Sequence, residues 1–273
     1  MPVKKPHRLF LHVALLAIIL ALLAVFAWLP PIAQPLWYHD FSEHRTLLGL
    51  PHFFNVSSNL AFQLVALWGL WQLAGGRTQL EYRWEYTLWR AFFVLILLVG
   101  FGSGYYHLAP SNNSLFWDRL PIALAFAVLL VITLEERINT ALTLPALLLL
   151  LPYAAFGVLY WWWTEQTGDG DLRPYLLMQL LVLSLLPVIT LLYQGRYQRR
   201  RDIAITVSLY LLAVACEWLD HEIHALTQFI SGHTLKHLLI ALAIAWLVRM
   251  LKLRKPIESA SSARHDYQQD TGQ

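Results

Sequence analysis

Long apolar stretches alternate with short polar segments along the chain up to about residue 255. Eight of these stretches are close to the ~20 residues that a helix needs to cross the hydrocarbon core of a bilayer. The pattern therefore predicts an all-α, polytopic membrane protein. We place its membrane-spanning helices at Leu9–Leu29, Phe53–Ala74, Thr87–Tyr106, Phe116–Leu134, Ala141–Trp163, Pro174–Tyr193, Ile203–Leu219 and Thr234–Leu251.

The predicted organisation has three parts. Residues 1–30 combine a short basic start with a helix that is apolar except for His12, which we interpret as an N-terminal anchor. A cleaved signal sequence is the alternative, although its apolar core is usually only ~7–15 residues long and no A-x-A site precedes Pro30. Residues 31–255 form a seven-helix domain. Residues 256–273 lack apolar periodicity, which predicts a disordered cytoplasmic tail.

The composition agrees with a membrane protein. Hydrophobic residues make up 58% of the chain, charged residues only 14%, and the mean hydropathy is +0.50. A soluble domain of this length carries about 25% charged residues. The single cysteine, Cys216, excludes an intrachain disulfide and a zinc site built from several cysteines. Histidine and carboxylate side chains therefore remain as the candidate metal ligands.

The positions of lysine and arginine predict how the helices are oriented. If the N-terminus is cytoplasmic, all but four of the 20 Lys and Arg residues fall on the cytoplasmic side. Short cytoplasmic loops of membrane proteins carry an excess of these residues. We therefore expect both termini in the cytoplasm, even if the first helix is removed. The four residues that fall on the outer side are Arg45, Arg119, Arg173 and Lys236.

Five polar residues then fall at the outer ends of three different helices. Ser103 and His107 are four residues apart in GSGYYHLAP, so they share a helical face. Asp118 begins the next helix, and His233 and His237 share a face at the start of the last one. Polar side chains within membrane helices usually face the bundle interior and mark functional sites. We therefore expect these five residues to form one site near the outer leaflet.

Three imidazoles and one open position are a common arrangement for catalytic zinc. His107, His233 and His237 supply the three imidazoles. A nearby carboxylate such as Asp118 can act as general base, and the Ser103 hydroxyl can stabilise a developing oxyanion. Zinc is the leading metal because the set holds no sulfur ligand. This combination predicts hydrolysis of an amide or ester in a lipid substrate.

Several other interpretations remain open. A single intramembrane histidine is usually a packing residue, and Ser103 can bond back to a carbonyl of its own helix. The outer-side sequence DHEIH contains HExH, which lacks one residue of the HExxH motif of zinc proteases. It is a competing metal set of lower weight. Its polar residues are Asp220, His221, Glu222 and His224.

Two other classes of function compete with a hydrolase. The first is a seven-helix, lipid-binding receptor whose metal site is structural or vestigial. The second is a transporter, which fits less well because the polar residues cluster at one side and no inverted repeat is visible. Measuring product release would separate the hydrolase from the receptor.

The motifs GSGYYHLAP, WDRLP and SGHTLKHL resemble those of the alkaline ceramidase family, and the resemblance covers Tyr38 to Leu251. That family belongs to a superfamily of seven-helix membrane hydrolases that also includes the adiponectin-receptor-like proteins. The resemblance implies that His107, His233 and His237 bind Zn²⁺, that Asp118 activates water, and that Ser103 assists at the oxyanion. It also implies cleavage of the N-acyl bond of ceramide to a sphingoid base and a fatty acid. The expected partners are membrane lipids and the bilayer, and not nucleic acid.

The same resemblance implies a calcium site before the first core helix. Asp40 and Glu43 match two of its positions. Arg45 and His52, however, stand where an asparagine and a glutamate are expected. Ca²⁺ prefers oxygen ligands, so the loss of two of them and the gain of a cation argue against calcium binding. The additional N-terminal helix is a further departure from the family pattern.

Overall fold

The computed structural model describes residues 5–257, so nearly all of the predicted tail, 256–273, lies outside the described residues. Within that part the protein is all-α, which confirms the predicted fold class. The α-helices are α1 (Lys5–Trp28), α2 (Phe53–Ser57), α3 (Leu60–Ala74), α4 (Arg83–Leu108), α5 (Asn112–Arg137), α6 (Thr143–Thr167), α7 (Arg173–Leu192), α8 (Arg200–Trp218), α9 (Asp220–Thr227) and α10 (Gly232–Leu253).

Seven of the predicted spans correspond to helices, or helix pairs, that are long and apolar enough to cross a membrane. The eighth, predicted at Ile203–Leu219, is instead the bent pair α8–α9, which meets the same criterion only if both helices count as one span. The two helices are inclined by 78° to each other. The bend brings the Asp220 carboxylate to the backbone N–H groups of Ser42 and His233, at 2.8 and 2.7 Å.

The segment 29–52 between α1 and α2, here called the connector, covers one end of the helix bundle. We call this end the connector end. At the opposite end, Arg196 binds the carboxylates of Glu85 and Glu135 at 2.9 and 2.6 Å, and Arg254 binds Glu136 at 2.9 Å. These ion pairs tie together the ends of α4, α5 and α10.

Serine side chains define the starts of two helices at the connector end. Pro110 cannot continue α4, and Ser111 then caps α5 by accepting a hydrogen bond from the Ser114 N–H at 3.2 Å. Ser231 caps α10 in the same way, accepting from the Thr234 N–H at 3.0 Å. These caps fix where the helices begin that carry Asp118 and the last two histidines.

Two glycines allow these helices to approach their neighbours closely. A Cβ on Gly102 of α4 would lie 2.1 Å from the carbonyl oxygen of Trp117 in α5. A Cβ on Gly232 of α10 would lie 2.1 Å from the carbonyl oxygen of Cys216 in α8. Small residues permit such close packing of membrane helices. The contacts place α4, α5 and α10 around a common interior.

The N-terminal helix α1 packs on the outside of this bundle, against α7. Leu11, Leu15 and Phe26 are its buried hydrophobic residues. Beyond its end, the Arg173 guanidinium donates to the carbonyl of Leu29 at 2.6 Å. The helix is therefore joined to the bundle by apolar contacts and by this hydrogen bond.

Candidate metal centre

The three predicted histidine ligands meet in the interior at the connector end. His107 comes from the last turn of α4, and His233 and His237 come from successive turns at the start of α10. All three are buried, and one ring nitrogen of each lies within 4.8 Å of the other two. The Nε2 atoms of His107 and His233 are 3.1 Å apart.

This geometry fits a zinc ion. Two imidazole nitrogens bound to tetrahedral Zn²⁺ at ~2.0–2.1 Å lie about 3.3 Å apart, close to the observed Nε2–Nε2 separation. The donor set would consist of three buried imidazole nitrogens, which is the ligand set of a common type of catalytic zinc site. Among residues 5–257, these histidines are the only group of three or more His, Cys, Asp or Glu side chains whose ligand atoms lie close enough together to hold a metal ion. The side chains of the competing set at residues 220–224 are not grouped in this way.

Polar side chains lie behind two of the three histidine rings. The Ser58 hydroxyl donates to the carbonyl of Asn55 at 3.1 Å and lies 2.8 Å from Nδ1 of His237. A hydroxyl has one proton, so Ser58 accepts from the Nδ1–H of His237 and leaves its Nε2 unprotonated for a metal. On the other side, Nδ1 of His233 lies 3.8 Å from the Glu217 carboxylate. Such outer contacts fix the tautomer and direction of metal ligands.

The connector covers the histidines from the outside. The buried ring of Phe41 lies edge-on to His107 and His233, with ring centroids 4.7 and 4.4 Å apart. His39 bridges the connector to α4 and α5, with contacts of 2.8 Å to the Tyr106 hydroxyl and 2.9 Å to Asn112 Oδ1. Burial lowers the pKa of His39, which favours its neutral form. A neutral bridge keeps positive charge away from the metal centre.

Asp220 is a functional residue whose role the sequence pattern did not reveal. It belongs to the competing metal set, yet its buried carboxylate accepts hydrogen bonds from backbone N–H groups of the connector and of α10. One side chain therefore fixes the connector against the first turn of α10. His221 has a related position, because its Nε2 lies 3.1 Å from the carbonyl oxygen of Asp40. The only sequence signal was a carboxylate next to the predicted end of a span.

Ser103 and Asp118 lie beside the histidines. Ser103 is buried one turn below His107, and its hydroxyl donates a hydrogen bond to the half-buried Asp118 carboxylate. Both residues line the same internal cavity as His237. The structure therefore brings all five predicted residues to one end of the bundle.

The cavity has a volume of about 410 Å³. Along α5 its lining extends from Asp118 to Arg137, which are about 28 Å apart on a helix axis. Between these two ends most of the lining side chains are apolar, among them Ile96, Leu129 and Ile244. The space is long and mostly apolar, with the charged residues of its lining at the two ends.

The candidate calcium residues are arranged around a different cation. Glu43 is fully buried, and its carboxylate accepts hydrogen bonds from the backbone N–H of Arg45, at 2.8 Å, and from the Arg45 guanidinium. The hydrogen bond with Glu43 raises the pKa of Arg45. The guanidinium also donates to the carbonyl of Phe229, in the loop before α10. Asp40 contributes a carbonyl oxygen to the contact with His221, as described above.

The chain matches one known protein family. A search among curated proteins gives no match. The sequence model of one family, described as Ceramidase, matches residues 50–270. The match covers more than half of the chain and includes every residue of the metal centre. The chain therefore belongs to the ceramidase family, as its motifs predicted.

Proposed function

We propose that this chain is a zinc-dependent intramembrane hydrolase that cleaves the N-acyl amide bond of ceramide or a related lipid. The products are a fatty acid and a sphingoid base or another amine. The observation that carries the proposal is the meeting of three buried histidines with Asp118 and Ser103 at one end of a long apolar cavity. Family membership supports amide hydrolysis, because it rests on independent sequence comparison.

His107, His233 and His237 would hold the metal through their Nε2 atoms. When bound, Zn²⁺ supplies a Lewis acid that polarises the amide carbonyl and lowers the pKa of water. Ser58 keeps His237 in the tautomer that this role requires, and Phe41 excludes bulk water from the outer face of the rings. The chain thereby provides a buried site in which electrostatic interactions are strong.

Asp118 moves the protons of the reaction. As general base it accepts a proton from the attacking water while the new C–O bond forms. It then returns that proton to the amide nitrogen as the C–N bond breaks, so that the amine leaves in neutral form. The adjacent Ser103 hydroxyl can turn from Asp118 towards the carbonyl oxygen and stabilise its developing negative charge.

The apolar cavity would hold a hydrocarbon chain of the substrate. A chain that enters it places its polar end beside Asp118, Ser103 and His237. The distribution of lysine and arginine supports cytoplasmic termini and a site that faces the outer leaflet. The substrate would then enter from the outer half of the bilayer.

The test measures bound metal and lipid hydrolysis on purified protein in detergent. We expect about one zinc per chain and release of fatty acid from a panel of N-acyl lipids that includes ceramide. His237→Ala should lose zinc and at least ~10³-fold in turnover, because a metal ligand and the Lewis acid are removed together. His12→Ala, which removes an exposed histidine of α1, is the matched control and should behave like the wild type.

Two outcomes would contradict the proposal. Zinc binding without fatty acid release from any lipid would favour the receptor-like alternative. Absence of metal from the wild-type protein, even after reconstitution with Zn²⁺, would mean that the three histidines serve packing alone.

A further inference from the structure

Arg119 is a buried cation at the reactive end of the cavity that the proposed chemistry does not use. It follows Asp118 in α5, is only 5% exposed, and lines the same cavity as Asp118 and Ser103. A buried charge is costly unless it is paired and hydrogen-bonded. The groups around the guanidinium therefore indicate the role of Arg119.

Aromatic rings surround the guanidinium. Its central carbon lies 4.2 Å from the ring centroid of Trp161, 4.9 Å from that of Tyr175 and 5.4 Å from that of Tyr38. Such contacts stabilise a cation through its flat faces. They do not satisfy its N–H donors, which lie in the plane of the group.

The N–H donors of Arg119 are only partly satisfied. Nη2 donates to the amide oxygen of Gln34 at 2.6 Å, and the Tyr38 hydroxyl is a second hydrogen-bond partner. Nη1 is buried and has no hydrogen-bond partner, and no carboxylate among residues 5–257 forms an ion pair with this guanidinium. Both of these hydrogen-bond partners are neutral, so none of its N–H donors binds a carboxylate of residues 5–257.

The other cation at this end of the cavity is different. Lys236 binds the Glu217 carboxylate at 2.6 Å, so its charge is already neutralised within the protein. The neighbouring Asp118 carboxylate accepts from Ser103, and it interacts with the charge of Arg119 without forming a hydrogen bond or a close ion pair with it. Lys236 thus has a carboxylate partner at 2.6 Å, whereas Arg119 keeps an N–H group without a hydrogen-bond partner that could bind an anionic ligand.

We propose that Arg119 binds a carboxylate carried by the amine part of the substrate. The preferred substrates would then be N-acyl amino acid lipids, in which the carboxylate lies a few bonds from the scissile amide. This inference rests on the proposed function for the position of that amide, beside Asp118. A guanidinium matches a carboxylate in shape and charge, and it keeps its positive charge when the two bind.

The reaction would remain a hydrolysis. Water adds its oxygen to the acyl carbon, the C–N bond breaks, and the proton passes through Asp118 to the nitrogen. The products are a fatty acid and a free amino acid, and no oxidant or reductant takes part. Arg119 would hold the amino acid carboxylate throughout and would be a specificity residue.

The first test compares N-oleoylglycine with its methyl ester, which has the same amide and acyl chain but no charge. We expect kcat/KM for the acid to exceed that for the ester by about tenfold or more, as a charge-assisted hydrogen bond allows. Arg119→Gln should bring the two values to within about threefold. Arg119→Lys should keep part of the preference. If Arg119 merely supported the connector, its loss would slow both substrates equally.

Arg137→Gln is the matched control. Arg137 lines the opposite end of the same cavity and lies on the same helix, so the variant removes the same charge away from the amide. It should leave the preference for the acid unchanged. An acid-to-ester ratio near one in the wild type, or a ratio that Arg119→Gln leaves unchanged, would overturn the inference.

A binding measurement separates this inference from the proposed function. N-hexadecylsulfonylglycine and its methyl ester replace the scissile amide with a sulfonamide, so that binding can be followed without turnover. Tighter binding of the acid that is lost in Arg119→Gln would support the inference even if no lipid is hydrolysed. Equal binding of acid and ester, together with hydrolysis of ceramide, would overturn the inference and leave the proposed function intact.

Discussion

At the scale of single residues, the candidate metal centre depends on partners that lie outside the three histidines. Ser58 holds His237, Glu217 faces His233, and Nδ1 of His107 is buried without a hydrogen-bond partner. The three rings are therefore held unequally. The ring with the firmest support is His237, because its hydroxyl partner is itself anchored to a backbone carbonyl.

Replacing Ser58 with alanine should weaken zinc binding about tenfold, because the loss of such a partner typically costs 10–100-fold in metal affinity or activity. Affinity can be measured by competition with a chelator on the purified protein. Ser57→Ala, one residue away, is the control, since Ser57 has no part in this hydrogen-bond chain. Equal zinc affinity in wild type and Ser58→Ala would show that Ser58 does not hold the ligand.

At the scale of helices, the sequence predicts positions well where one physical rule is sufficient. Apolar length predicted the spans, and the four-residue spacing of His233 and His237 predicted a shared face. The bend after Trp218 was not predicted, because hydrogen bonds that Asp220 accepts there come from Ser42, which is 178 residues away. A local pattern carries no information about such a partner. The ion pair of Glu43 with Arg45 was not predicted for a related reason, since the sequence showed the added cation but not which carboxylate it binds.

Helix α10 has to approach α8 closely for its histidines to reach His107. Gly232→Ala should prevent this, because the added Cβ would lie 2.1 Å from the Cys216 carbonyl oxygen and 2.8 Å from the Asp220 Cα. Neither backbone atom can move independently of its helix. We expect a loss of roughly 1–3 kcal/mol in stability, as for other overpacked sites, together with reduced zinc content.

Thermal unfolding in detergent and metal analysis would test this expectation. Gly104→Ala is a suitable control, because a Cβ at that helical position meets only the Cβ of Asn59, at 4.0 Å. It should leave both the melting temperature and the zinc content near those of the wild type. If Gly232→Ala has the same melting temperature as the control and retains zinc, α8 and α10 can separate without loss of the site.

At the scale of the whole molecule, the two ends of the bundle have different chemistry. The connector end holds the histidines and the Asp118 carboxylate, whereas the opposite end is closed by the ion pairs of Arg196 and Arg254. A rigid frame surrounds the cavity, formed by the ion pair between Arg196 and Glu135 and by the close helix contacts. A rigid frame is suited to holding reacting groups in a fixed geometry.

The orientation of this frame in the membrane follows from charge and can be tested directly. In a Cys216→Ala background, Asp169→Cys at the connector end and Gln198→Cys near the opposite end each provide one exposed thiol. Because Lys and Arg are concentrated on the side of Gln198, we expect that side to be cytoplasmic. A membrane-impermeant maleimide should then label Asp169→Cys in intact cells, and Gln198→Cys only after permeabilisation. The reverse pattern would place the metal centre in the cytoplasmic leaflet, and the lipid substrate would then have to be supplied from that side.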